Sequence, residues 1–196
     1  IGADWRVVLR DDYTYTTKYD NLGQGQGTLR VDLCDHTITL SGVMLYNADA
    51  KKNGDISVYT YNGTVLVDSF GMVRLLGWDT ADYDITTVKK FNFYFNDLTI
   101  KLNGSSKNLT TYYHNRASSG QPAPANNEII FTDCIFDITG AESTVTVFEV
   151  GGANGGQPLV GDFDVIGGEI IADSADMLNI AKIDGTTGSS FTLVKN

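Results

Sequence analysis

Tyr112, Tyr113, His114 and Arg116 crowd into one short stretch, and together they could do acid–base work on an acidic sugar. An arginine neutralises a uronate carboxylate, and a tyrosine or histidine then takes the proton at C5, the first step of a β-elimination. These four are the candidate catalytic residues. The same side chains suit passive sugar binding, with tyrosine rings against pyranose faces. They lie in residues 103–127, the longest interval between periodic segments, beside Lys107 and a Ser/Gly/Pro run. An interval of that length is a functional loop or a partly disordered one, and an ordinary exposed loop is the alternative to any chemistry.

A second interval, residues 77–84, carries Trp78, Asp79, Asp82, Tyr83 and Asp84. Trp78 and Tyr83, with Lys107, are candidate substrate-binding groups. Asp79, Asp82 and Asp84 could supply oxygen ligands to Ca²⁺, although the glycine-anchored EF-hand spacing is missing. A solvated acidic loop with Trp78 folded onto the core explains the same residues. The glycine-rich run 151–158 precedes no helical pattern, so it reads as a turn and not a phosphate cradle. No Gly-x-Ser-x-Gly elbow, His-Glu-x-x-His or Cys-x-x-Cys occurs.

The elements that would position these groups are strands. Gly is abundant (21), Pro scarce (3), and tyrosines and phenylalanines number 10 and 9. Thr, Val and Ile fill the periodic stretches, a β composition. No long stretch has apolar residues at helical spacing, and residues 173–180 fit a loop or a single turn. Five times a strand, a one-residue corner and a second strand recur, with corners at Asp35, Asn62, Asp97, Asp133 and Gly167. These residue types enter left-handed backbone at low cost. The corners return at intervals of roughly 30 residues, a solenoid period. Within each copy the apolar residues alternate, as in Ile38/Leu40, Val65/Val67 and Ile100/Leu102. Each set fills one core layer and stacking buries it. Thr37, Thr64 and Thr99 take equivalent outward positions.

The segment Gly27-Thr28-Leu29-Arg30-Val31-Asp32-Leu33-Cys34-Asp35-His36-Thr37-Ile38-Thr39-Leu40 resembles a rung of bacterial right-handed parallel β-helix proteins of the pectin-lyase-like superfamily, and Asn62-Gly63-Thr64-Val65 resembles another. Cys34-Asp35 replaces the usual Asn-Gly pair. The resemblance implies one all-β domain over residues 1–196, a single-stranded right-handed parallel β-helix (β-solenoid) of about six coils. It also implies an exported bacterial protein, secreted or on the cell surface, that binds or processes a polysaccharide. Whether it is an enzyme stays open: a polysaccharide lyase, a glycoside hydrolase, a non-catalytic adhesin module and a phage tailspike segment all share the fold.

The formal charge of −10 and pI near 4.4 argue against nucleic acid and anionic membrane surfaces as partners. Cys34 and Cys134 fall at neighbouring corner positions three repeats apart, too distant to bridge. Both are expected to be reduced and buried. The C-terminal end of such a stack would expose apolar core, to be covered by further rungs or a partner chain.

Overall fold

The computed structural model describes residues 4–16, 25–49, 53–68, 71–77, 90–116, 127–150, 161–183 and 190–194. In chain order the strands are β1 (Trp5–Val8), β2 (Tyr13–Tyr15), β3 (Gly25–Asp32), β4 (Thr37–Leu40), β5 (Tyr46–Asp49), β6 (Asn53–Val67), β7 (Val73–Gly77), β8 (Phe91–Leu102), β9 (Asn108–Arg116), β10 (Asn127–Thr132), β11 (Ile135–Asp137), β12 (Val145–Val150), β13 (Gly161–Ile166), β14 (Glu169–Ile171), β15 (Leu178–Ile183) and β16 (Ser190–Val194). A 3₁₀ turn, Ala175–Met177, leads into β15, so residues 173–180 split between a turn and a strand.

Every described strand pairing is parallel. Strands far apart in sequence stack as neighbours. The order β1-β3-β6-β8-β10-β13-β16 forms one face. Past the corner, β2, β4, the second halves of β6 and β8, β11 and β14 form a second face. The strands β5, β7, β9, β12 and β15 form the third. This is the stacking expected of a β-solenoid.

The expected corners are where the chain turns. Asp35 (φ 65°), Asn62 (60°), Asp97 (52°), Asp133 (51°) and Gly167 (70°) all hold left-handed backbone. A side chain with little steric bulk near Cβ makes that conformation affordable. Cys34 (φ 48°) shares it. Gly168, at φ +75°, packs so closely that an added Cβ would lie 2.0 Å from the Cys134 carbonyl oxygen.

Alternation does the rest. β8, Phe-Asn-Phe-Tyr-Phe-Asn-Asp-Leu-Thr-Ile-Lys-Leu, is buried at every apolar position but one-sided: its Asn, Tyr and Lys residues face outward, half-buried. In register, Phe95 lies over Phe131 and Phe131 over Val165. Phe131 stacks on Phe95 at 4.7 Å and meets Phe136 and Phe163 at 5.5 and 5.7 Å. The expected outward ladder Thr37–Thr64–Thr99 is in register. Burying these layers supplies the apolar driving force of the fold.

Two expectations need correction. Residues 108–116 are a strand of the third face, not part of one long loop. Parallel pairing with β7 and β12 satisfies their backbone. Cys34 is exposed, because the corner lifts it off the core, whereas Cys134 is buried.

Candidate functional site

The first face offers the richest described set of outward polar groups. Its inward rows are apolar except for Thr60 and Asn127, so alternation sends the intervening residues outward. Register aligns these into rows across the strands. One row runs Arg6, Arg30, Tyr59, Tyr94, Ile130, Asp164 and Thr192; a second runs Ser57, Asn92, Glu128, Asp162 and Ser190; a third includes Asp32, Tyr61, Asn96 and Thr132.

Between the first and third rows lies a shallow hollow of ≈ 380 Å³, lined by Arg30, Tyr59, Tyr61, Asn96 and Asp97. Tyr59 and Tyr94 stack face to face at 4.6 Å, 15° from parallel. The Arg30 guanidinium sits 5.4 Å from the Tyr59 ring centre. The stack thus uses up both faces of Tyr59 and leaves ring edges and hydroxyls for solvent. Stacking also holds Arg30 in place, while the Asp4 carboxylate stands 4.0 Å from it, beyond hydrogen-bonding range. Tyr61 belongs to no described ring pair and presents an aromatic surface beside the Asn96 amide and the Asp97 carboxylate. Asp97 is placed there by its own corner.

The surroundings are tied down. Asp32 is buried beside the hollow and accepts hydrogen bonds from Arg6 (3.1 Å), the Cys34 amide (3.1 Å) and Asn62 Nδ2 (3.4 Å). Burial alone would push its carboxyl up, but these donors outweigh burial and hold it below the usual carboxylate range. Tyr94 donates to Glu128 Oε2 at 2.6 Å. Burial, then the Glu128 carboxylate, push the Tyr94 phenol well above its ordinary value. Tyr94 therefore stays a protonated donor and orients Glu128.

Of the residues expected from sequence, the described Tyr112 and Lys107 do not line this hollow. Tyr112 is 3% exposed and belongs to the core. Burial raises its phenol strongly, partly offset by a hydrogen bond with Asn127, so it is no proton acceptor for a substrate at the surface. Tyr113, His114 and Arg116 sit on β9, in register with Arg74, Leu75 and Gly77 of β7; their side chains lie outside the described residues. Lys107 is exposed just before β9, on the third face and away from the hollow, and its carbonyl accepts from the Thr146 amide. Trp78, Asp79, Asp82, Tyr83 and Asp84 lie outside the described residues. Among the described residues no group of three or more His, Cys, Asp or Glu side chains is arranged to hold a metal ion.

Sequence reasoning passed over Arg30, Tyr59, Tyr61, Asn96 and Glu128. The alternation of Phe91 to Asn96 already marked Asn92, Tyr94 and Asn96 as outward. Which strands stand side by side, and hence that Arg30 meets Tyr59 and Tyr59 meets Tyr94, depends on register.

No protein-family model matches the chain, and no curated protein or solved structure is significantly similar to it.

Proposed function

We propose that this chain is a right-handed parallel β-helix of about six coils, exported to the cell exterior, that binds or processes a polysaccharide along its first face. The observation carrying this reading is the hollow lined by Arg30, Tyr59, Tyr61, Asn96 and Asp97. An aromatic ring that belongs to no ring pair among the described residues, bordered by amide, carboxylate and guanidinium groups, matches the two surfaces of a sugar. The C–H face packs on the ring, and the hydroxyls pair with planar polar groups. Neighbouring strands of a parallel sheet repeat every ~4.8 Å, so successive sugars of an extended glycan would meet successive strands. The resemblance of residues 27–40 to β-helix rungs supports the same reading.

A glycan panel titrated against the wild type and Tyr61→Ala tests it. At least one polysaccharide should bind, and Tyr61→Ala should weaken it about tenfold, the equivalent of 1.4 kcal/mol. Absence of binding across the panel, or unchanged binding by Tyr61→Ala, refutes the assignment. Following ultraviolet absorbance during the same incubations reports any unsaturated uronate and separates a lyase from a binder.

A second reading, a structural module within a longer or assembled stack, is favoured by core-row residues left open. Trp5 and Val7 are 57% and 45% exposed at one end, and Leu193 is 49% exposed at the other. Further rungs or a partner chain would cover them. Light scattering of the isolated chain distinguishes a self-associating stack from a monomer.

A further inference from the structure

In an asparagine followed by glycine, the side-chain amide is open to attack by the next backbone nitrogen, because glycine puts no Cβ in the way and lets the chain rotate. The chain holds four such pairs: Asn53-Gly54, Asn62-Gly63, Asn103-Gly104 and Asn154-Gly155. The side chains of Asn53 and Asn154 lie outside the described residues. The fold treats the other two pairs oppositely.

Asn62-Gly63 is locked. Asn62 is a left-handed corner within β6, at φ 60°. Its Nδ2 donates to Asp32 Oδ1 at 3.4 Å, and its carbonyl accepts from the Asp35 amide at 2.8 Å. Gly63 is in register with Leu98 on one side. On the other, an added Cβ would lie 2.5 Å from Leu33 Cβ and 2.6 Å from the His36 carbonyl oxygen. Swinging the Gly63 nitrogen onto the Asn62 side chain would therefore pull the corner off two neighbouring rungs.

Asn103-Gly104 is open. Asn103, Gly104 and Ser105 are all exposed in the link from β8 to β9. An added Cβ at Gly104 would meet nothing nearer than the Asp68 carbonyl oxygen at 4.0 Å, and φ there is +98°. The link is anchored at both ends. The Asn103 amide donates to the Val67 carbonyl at 2.7 Å, and buried Ser106 donates through Oγ to the Asn108 carbonyl at 2.8 Å. A rearrangement between these anchors leaves the rungs in place.

We infer that Asn103 is a site of spontaneous deamidation in the folded protein, with the Gly104 nitrogen as nucleophile and water as co-reactant. The Gly104 nitrogen loses its proton to solvent base and bonds to Asn103 Cγ. The Cγ–Nδ2 bond breaks, and Nδ2 takes a proton from solvent and leaves as ammonia. Water then opens the cyclic imide. Addition at Cγ gives aspartate, and addition at the Asn103 backbone carbonyl carbon gives isoaspartate. Nothing is oxidised or reduced, and either product adds one negative charge to the net −10.

Peptide mapping by mass spectrometry during mildly alkaline incubation tests the inference, reading the mass gain of NH₂ replaced by OH at each pair. Enzymatic methylation of isoaspartate reports the second product. The same chain held in denaturant is the reference, and there Asn62 and Asn103 should convert at similar rates. In the folded protein Asn103 should convert at least about tenfold faster than Asn62, since a residue held in the ladder reacts only from a locally opened state. The deamidated protein should keep the melting midpoint of its parent. Conversion of Asn103 no faster than Asn62 in the folded protein, or none at Asn103, overturns the inference. A lowered midpoint after conversion overturns the anchoring of the link.

Discussion

Removing the Phe131 ring should cost far more than removing a ring at the end of the stack. Phe131 is 1% exposed. It stacks on Phe95 at 4.7 Å, and Phe136, Phe163 and Phe148 lie at 5.5, 5.7 and 6.3 Å. Strand β10 is paired on both sides, with β8 and β13, so neighbours cannot close over the space without breaking ladder hydrogen bonds. Phe→Ala truncations in cores cost about 3–5 kcal/mol, more where the site resists collapse. Loss of aromatic pairs worth about 0.5–1.5 kcal/mol each places Phe131→Ala at the upper end, about 4–5 kcal/mol. That is a large share of the 5–15 kcal/mol typical of a domain. Phe191 occupies an equivalent inward position on β16, whose pairing with β13 is the one described. It is half-buried and touches Phe163 and Phe148 at 5.6 and 6.4 Å. With one side open, Phe191→Ala should cost about 1–2 kcal/mol, the lost transfer free energy of a partly exposed ring. Urea unfolding followed by circular dichroism measures both. Equal losses, or a Phe131→Ala loss below about 1 kcal/mol, would refute the layered core. A repeat array can unfold in stages, so the two midpoints should be compared on the same transition.

Three further outcomes follow from the structure. Asp32 and Asp137 both hold carboxyls below their ordinary value in the folded state, because the donors they accept from, and Lys101 for Asp137, outweigh burial. A depressed folded pKa gives stability that is present above the unfolded carboxylate pKa of about 4 and is lost as pH falls through the folded value. Asp32→Asn should therefore flatten the acid limb of a stability-against-pH curve, and an unchanged limb would show that Asp32 contributes none of it. Of the two thiols, Cys34 should react with a water-soluble alkylating agent in the native protein. Cys134, whose thiol burial pushes up to about 12, should react after unfolding; mass spectrometry of the native adduct decides, and rapid double labelling would contradict the burial. Gly168→Ala should destabilise by more than 1 kcal/mol, since the new methyl would meet the Cys134 backbone at 2.0 Å and φ is +75°, whereas Asp97→Gly at the left-handed corner should be neutral or stabilising in the same melt.

The glycan reading rests on register, and register is where sequence and tertiary structure part company. Asp35, Asn62, Asp97, Asp133 and Gly167 announce themselves because few residue types tolerate left-handed backbone, and that restriction acts locally. The alternation around them shows which side chains are buried, since a strand exposes every second residue to the same side whatever it pairs with. Corner plus alternation is enough to expect stacked all-β rungs. Tyr112 was misplaced because Leu109, Thr110, Thr111 and Tyr112 are buried in succession, so this part of β9 lacks the inward–outward alternation that sets a strand apart from a loop. Cys34 was misplaced because two successive left-handed residues turned the chain one position earlier than the repeat implied. The chemistry of the first face was hidden for a different reason. Arg30, Tyr59, Tyr94 and Glu128 are separated by 29, 35 and 34 residues, and nothing local says that they become neighbours. Parallel pairing with the observed offsets puts them side by side, and a slip of one residue would have turned each of them into the core. The chain alone determined the corners and the inward and outward sets; cross-strand register decided which outward groups meet, because it depends on backbone hydrogen bonds and core packing summed over the whole stack.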